Sequence, residues 1–255
     1  MNLYKSINLS HVKHPPLKNT SISLIGVCVS YQYFDTLQFM LPVNYLHFEK
    51  IYLVTQPDDT RTIEFCSQFQ NVDVLFYDFK NNHKQFDKFG ALNYAQYTAY
   101  QTYPHSWYAI MDSDILLPNN FIDLLKKNSL HPDCIYGIPR HNVFKTSELH
   151  KSRVRIDPMP VFKGVPTIIG YFQLYKKKVF HHSFPNASEG DLVFCQYNFK
   201  IRRMLENILC YHLGVPGKNW NGKTVSFIDD IRINLSNLYY NCIGPRRTFA
   251  LIGSK

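Results

Sequence analysis

The segment Trp107-Tyr108-Ala109-Ile110-Met111-Asp112-Ser113-Asp114-Ile115-Leu116-Leu117-Pro118 sets two carboxylates between two apolar runs. An apolar run ending in acid predicts a buried strand whose polar tip reaches the edge of a site. Burying a carboxylate is costly unless it is paired or bound to a metal. On extended backbone Asp112 and Asp114 point to one side and Ser113 to the other. Two hard oxygen ligands on one side suit a divalent cation of the kind that bridges a diphosphate. The competing reading is a strand that ends in an ordinary acidic turn.

That tip needs neighbours to make a site, and the chain before it supplies them. Ser23–Ser30 predicts a central strand, and Asp35–Leu46 a helix. Lys50–Thr55 predicts a second strand, closed by the turn Gln56-Pro57-Asp58-Asp59. Thr60–Gln70 predicts a helix and Val72–Tyr77 a third strand. This alternation implies a parallel sheet with right-handed crossovers. Ligands of such sheets lie beyond the carboxyl ends of the strands. The tips Ser30-Tyr31, Gln56–Asp59 and Asp112–Asp114 therefore converge on one crevice.

After the third strand, Phe86–Tyr103 predicts a helix entered through Asp87-Lys88-Phe89-Gly90. Pro118–Lys127 predicts a short helix and Cys134–Pro139 a strand. Residues 140–165 have mixed charge and several prolines, and predict a loop over the site. Thr167–Tyr175 predicts a further strand. Ser188-Glu189-Gly190-Asp191 opens a helix over Leu192–Phe199, where acid suits the positive end of the helix dipole. Met204–Tyr211 predicts one strand running into His212-Leu213-Gly214. An Asp229–Leu238 helix and a basic, partly apolar tail from Tyr239 to Lys255 close the chain. The polar residues 1–20 predict a loosely attached arm, and 21–255 a single domain.

The 255-residue chain is 45% hydrophobic and 18% charged, which is globular composition. Its formal net charge of +9 suits anionic partners, among them nucleotides and phosphates. The basic residues are scattered, in short clusters such as Lys176–Lys178 and Arg202-Arg203, without a long stripe or a common nucleic-acid motif; no nucleic-acid partner is expected. None of the 6 cysteines forms a C-x-x-C pair, which favours buried free thiols over disulfides or zinc. No signal segment or run of about 18 apolar residues is present, so a soluble, cytoplasmic protein is expected.

In their order and spacing these features resemble the glycosyltransferases of the GT-A fold. The likeness covers roughly residues 22–223. It rests on the N-terminal strand–helix alternation, on Phe86-Asp87-Lys88-Phe89-Gly90-Ala91-Leu92-Asn93-Tyr94-Ala95, on Asp112-Ser113-Asp114 and on His212-Leu213-Gly214. The resemblance implies an α/β fold, a mixed but mostly parallel sheet flanked by helices. It divides the domain into a nucleotide-binding half, 21–117, and an acceptor-binding half, 118–255.

The same resemblance implies roles. Mn²⁺ or Mg²⁺ would be held by Asp112, Asp114 and His212, a donor set that suits manganese. The donor, a nucleoside diphosphate sugar and UDP-sugar above all, would lie against Ser30, Tyr31, Asp58, Asp59, Lys88, Asn93, Asp112, Ser113, Gly214 and Lys218. Asp191, with Glu189 second, would be the general base toward a hydroxyl of a saccharide, glycolipid or glycoprotein acceptor. Inversion at the sugar is the expected outcome. The tail Tyr239–Lys255 could touch an anionic membrane. Each role has a competitor in plain structure: helix caps for Asp191 and the turn aspartates, a solvated helix start for Lys88 and Asn93, a packed imidazole for His212. Two competing functions share the layout, a nucleotidyltransferase and a non-catalytic nucleotide- or glycan-binding module.

Overall fold

In a computed structural model the residues described are 22–79, 87–143, 161–162, 165–181 and 187–214. The chain opens with strand β1 (Leu24–Val29), helix α1 (Phe34–Asn44) and a single 3-10 turn (Tyr45–His47). Strand β2 (Lys50–Thr55), helix α2 (Thr60–Cys66), strand β3 (Val72–Phe76), helix α3 (Lys88–Thr102) and strand β4 (Trp107–Asp112) follow. Then come β5 (Ile115–Leu116), α4 (Phe121–Lys126), β6 (Cys134–Gly137) and β7 (Arg140–Val143). A small hairpin is made by β8 (Val161–Phe162) and β9 (Val165–Pro166). The described chain ends with β10 (Phe172–Tyr175), α5 (Ala187–Asn198), β11 (Ile201–Met204) and β12 (Cys210–Leu213).

Seven strands form one sheet in the order β11-β6-β10-β4-β1-β2-β3. All its pairings are parallel except those of β10, which runs antiparallel to β4 and β6. The expected mixed, mostly parallel α/β sheet is thus present. β1 is buried along its whole length, as a central strand covered on both faces must be. Its alternation splits the core: Leu24 and Cys28 pack with α1 and α4, while Ile25, Val27 and Val29 pack with α3 and α5. Cys28, Cys66, Cys134, Cys195 and Cys210 are buried free thiols.

A second sheet of three strands, β5-β12-β7, sits at the end of β4. Here the structure corrects several sequence expectations. The chain turns at Ser113-Asp114 instead of continuing extended, so the two aspartates are not simple same-face neighbours on a strand. The expected Met204–Tyr211 strand is two strands in different sheets, because Glu206-Asn207 is an exposed turn. Within the expected 140–165 loop, Arg140–Val143 is a strand; its apolar content is low, but β12 zips it in register. Asp191 lies inside the first turns of α5, which starts at Ala187 rather than Leu192. Residues 144–160, the arm 1–20, the Asp229–Leu238 helix and the basic tail lie outside the described residues. Among the described residues no helix is long and apolar enough to cross a membrane.

Candidate active site

The carboxyl ends of β1 and β4 are neighbours in register, with Val29 opposite Asp112. Past β1, Gln32 takes a left-handed backbone (φ 63), uncommon for a residue with a side chain. That reversal leaves Tyr31 half-buried and stacked on Phe79, with ring centroids 5.0 Å apart and an interplanar angle of 8°. Ser30 is buried, and its Oγ has no hydrogen-bond partner among the described residues. Phe79 was invisible to sequence reading, because it follows β3 in a segment with no periodic pattern.

At the end of β4, the backbone N–H of Asp112 donates to the carbonyl of Tyr171 at 3.0 Å. Its side chain accepts from Lys88 Nζ at 2.7 Å. Lys88 is the first residue of α3, and that helix is capped by Asp87, which accepts from Gly90 N at 3.1 Å and from Tyr77 Oη at 2.7 Å. The cap fixes the helix start and so aims Lys88 into the crevice. Burial disfavours the Lys88 charge, but Asp112, Asp191 and Asp114 outweigh it and hold the ammonium above its ordinary pKa. Burial likewise raises the Asp112 carboxyl, against the pull of Lys88 and with the push of Asp114.

Asp114, in the turn after β4, has its Oδ2 3.3 Å from His212 Nε2, both side chains being buried. Two backbone features make this meeting obligatory. β12 pairs antiparallel with β5 so that His212 faces Ile115, and Leu213 N donates to Asp114 O at 2.8 Å. Gly214 then leaves the strand at φ 111, a conformation that side-chain-bearing residues rarely adopt, and donates to Val143 O at 3.0 Å. Burial lowers the His212 pKa, Asp114 raises it and Arg140 lowers it; the net direction is upward. The other ring nitrogen, Nδ1, lies 2.8 Å from Asn142 Oδ1.

Asp191 reaches the crevice from α5. It is buried, receives the Gly170 backbone N–H, and leaves Oδ1 without a hydrogen-bond partner among the described residues. A side chain at Gly170 would collide with this carboxyl, so glycine is what lets α5 approach. Burial, partly offset by Lys88 and reinforced by Asp112, lifts the Asp191 pKa to about 6. Arg140, at the start of β7, lies over the Tyr171 ring at 4.6 Å, and its charge acts against a proton on His212. Sequence reading missed Arg140 and Asn142 because Arg-His-Asn-Val shows no apolar run.

Other expected site residues have structural tasks. Asp59 caps α2, accepting from Thr62 N at 3.4 Å, and takes the Thr55 hydroxyl at 2.7 Å. Asn93 clamps the backbone of His181, accepting from its N–H at 2.7 Å and donating to its carbonyl at 2.8 Å. Asp58 is exposed and Ser113 buried. Glu189 lies in α5 beside Gly190, but its side chain is outside the description, as is Lys218.

The three expected metal ligands do not form one cluster: among the described residues no group of three His, Cys, Asp or Glu side chains could hold a metal. Asp112 is committed to Lys88. Asp114 and His212 remain a buried carboxylate–imidazole pair, chemically suited to a divalent ion whose other ligands are phosphate oxygens and water.

No protein-family model matches the chain, and no curated protein matches it in sequence. Among solved structures, an inositol-1-phosphate CTP transferase from T. maritima is similar at 9% identity and TM-score 0.46, over 87% of this chain and 98% of that one. A 4-diphosphocytidyl-2C-methyl-D-erythritol synthase from Anaerococcus prevotii is similar at 12% identity and TM-score 0.44, over 85% and 98%. At such distances neither protein's activity transfers to this chain.

Proposed function

We propose that the chain is a metal-assisted glycosyltransferase using a nucleoside diphosphate sugar, UDP-sugar by preference, and a hydroxyl-bearing saccharide, glycolipid or glycoprotein acceptor. The observation that carries this is the meeting, at one crevice, of the Asp114–His212 pair, the Lys88–Asp112 pair and the buried Asp191. Asp114 and His212 would hold Mn²⁺ or Mg²⁺, which when bound neutralises charge on the diphosphate leaving group. Lys88, surrounded by carboxylates, supplies a fixed cation on the same side. It stabilises developing phosphate charge without reorganising. Tyr31, backed by Phe79, offers a ring face to the base.

Asp191 supplies the acceptor side. A pKa of about 6 leaves it mostly ionised at neutral pH yet basic enough to take an acceptor proton. An in-line attack assisted by that carboxylate inverts the anomeric centre.

The decisive test is turnover of UDP-sugars with and without Mn²⁺ in wild type, Asp114→Ala and Asp191→Asn. Full activity in EDTA would remove the metal role, and an Asp191→Asn rate within a few-fold of wild type would remove the base role.

A second reading, nucleotidyl transfer, would use the same lysine and acids on a nucleoside triphosphate. What weighs against it is the turn after β1, Ser30-Tyr31-Gln32-Tyr33, which has neither glycine nor a basic residue to cradle a triphosphate. Pyrophosphate release from a nucleoside triphosphate and a sugar phosphate would favour this reading. Mn²⁺-dependent UDP binding without turnover of any donor would point to a binding module.

A further inference from the structure

We propose that Arg140 binds the diphosphate of the nucleotide, as a second cation brought to the crevice by a different element from the one that carries Lys88. This rests on the nucleoside diphosphate part of the reading above and not on its metal. β7 alternates half-buried and buried residues, so Arg140 and Asn142 stand on its outer face and His141 and Val143 on its core face. Register sets Cys210 beside Arg140 and His212 beside Asn142. Paired strands in register share their faces, so Arg140 stands on the face that carries His212 to Asp114.

Tyr171 is the platform. Its hydroxyl donates to the carbonyl of Ile138, two residues before Arg140, which ties the ring to the chain just ahead of β7. The guanidinium lies over that ring, 4.6 Å from its centroid. The backbone carbonyl of the same tyrosine accepts the Asp112 N–H at 3.0 Å. One residue therefore holds both Arg140 and the tip of β4. A ring face holds a guanidinium without using any of its N–H donors.

The charge of the crevice explains why an arginine stands here. Asp112, Asp114 and Asp191 make it acidic, and Lys88 is drawn to all three. A diphosphate that enters meets this negative charge, which one shared ammonium does not offset. Arg140 adds positive charge on the β7 side. Its planar fork matches two phosphate oxygens at once. Packing on Tyr171 alone would be served by an uncharged side chain of similar length, without a cation set against the neighbouring His212.

The test is calorimetric titration of the full chain with UDP and, separately, with uridine, each in EDTA and in Mn²⁺. It compares wild type, Arg140→Leu and Arg140→Gln, and thermal unfolding checks each fold. Both variants should bind UDP about 10–100-fold more weakly than wild type, in EDTA as in Mn²⁺. Uridine, which lacks phosphate, should bind all three alike.

UDP affinity unchanged in the variants overturns the role of Arg140. An equal loss for UDP and uridine also overturns it, since Arg140 would then only support the fold of the pocket. If Arg140→Leu does not fold, the ratio of UDP to uridine affinity in Arg140→Gln decides. Wild type that binds uridine as tightly as UDP defeats the phosphate role alone. Wild type that binds neither defeats the nucleotide reading, and this role with it.

Discussion

Lys88 Nζ, carried on the first residue of α3, lies 2.7 Å from Asp112, the last residue of β4. The side chains are 13% and 32% exposed, so water screens the pair only in part. Lys88 is also the cation that offsets the burial of Asp191. Replacing it with Met leaves both carboxylates without it. The Lys88→Met protein should lose about 1–3 kcal/mol in chemical denaturation at neutral pH. It should recover part of that loss on acidification, as the stranded acids take up protons. Denaturation midpoints at two pH values check this; an unchanged midpoint at neutral pH would show that the ion pair is idle.

Asp191 and His47 should tilt stability in opposite directions over the same pH range. The folded pKa of Asp191, about 6, exceeds its ordinary value of 3.8. Its contribution is therefore whole below the ordinary value and is lost as pH rises through about 6, roughly 3 kcal/mol in all. Burial instead lowers His47 from 6.5 to about 4. That contribution is whole above 6.5 and is lost as pH falls toward about 4. Wild type should thus show a shallow profile here. Asp191→Asn should become more stable at neutral pH and unfold more steeply in acid, while His47→Phe should do the reverse. Denaturation at stepped pH measures both.

The activity of Asp191 should follow the same ionisation. The rate should rise as pH passes through about 6. Asp191→Asn should lose about 10²–10⁴-fold in turnover while still binding nucleotide. Gly170→Ala, which forces a methyl group against the carboxyl, should destabilise by about 1–3 kcal/mol. It should also move the rising limb of the pH profile, which a loss of packing alone would leave in place.

Asn44 anchors the short strand β5 that follows Asp114. Its Nδ2 donates to Ile115 O at 2.7 Å and its Oδ1 accepts from Leu117 N at 2.9 Å. Asn44→Ala strands two buried backbone groups and should cost about 2–5 kcal/mol. Hydrogen exchange should quicken at Ile115 and Leu117 and stay slow at β1.

The sequence foretold most of what repeats and little of what meets. Strand β2 is apolar and bounded by turn residues, and the expected span Lys50–Thr55 is the observed one. The Asp112–Asp114 tip and His212 were legible as polar residues at the ends of apolar runs, and Lys88 only through the resemblance carried by Phe86–Ala95. The small sheet was not. Its strands are two to four residues long and draw their order from pairing, which no local pattern records. For that reason Arg140 and Asn142 went unseen and Met204–Tyr211 read as one strand. Asn93 and Asp59 sit where a binding residue would, but their neighbours, His181 and Thr55, take their hydrogen bonds. A side chain's polarity is written in the sequence; whose partner it becomes is not.

The interval between Asp112 and Asp114 has a meaning beyond its two acids. β4 belongs to the large sheet and β5 to the small one, and only Ser113 and Asp114 lie between them. The acid spacing is thus also the length of a bridge. One added residue would slide β5 along β12 and move Ile115 off His212. With it would go the meeting of Asp114 and the imidazole, although every residue of the site would still be present. The spacing is a measurement of the gap between two sheets, kept in units of one residue.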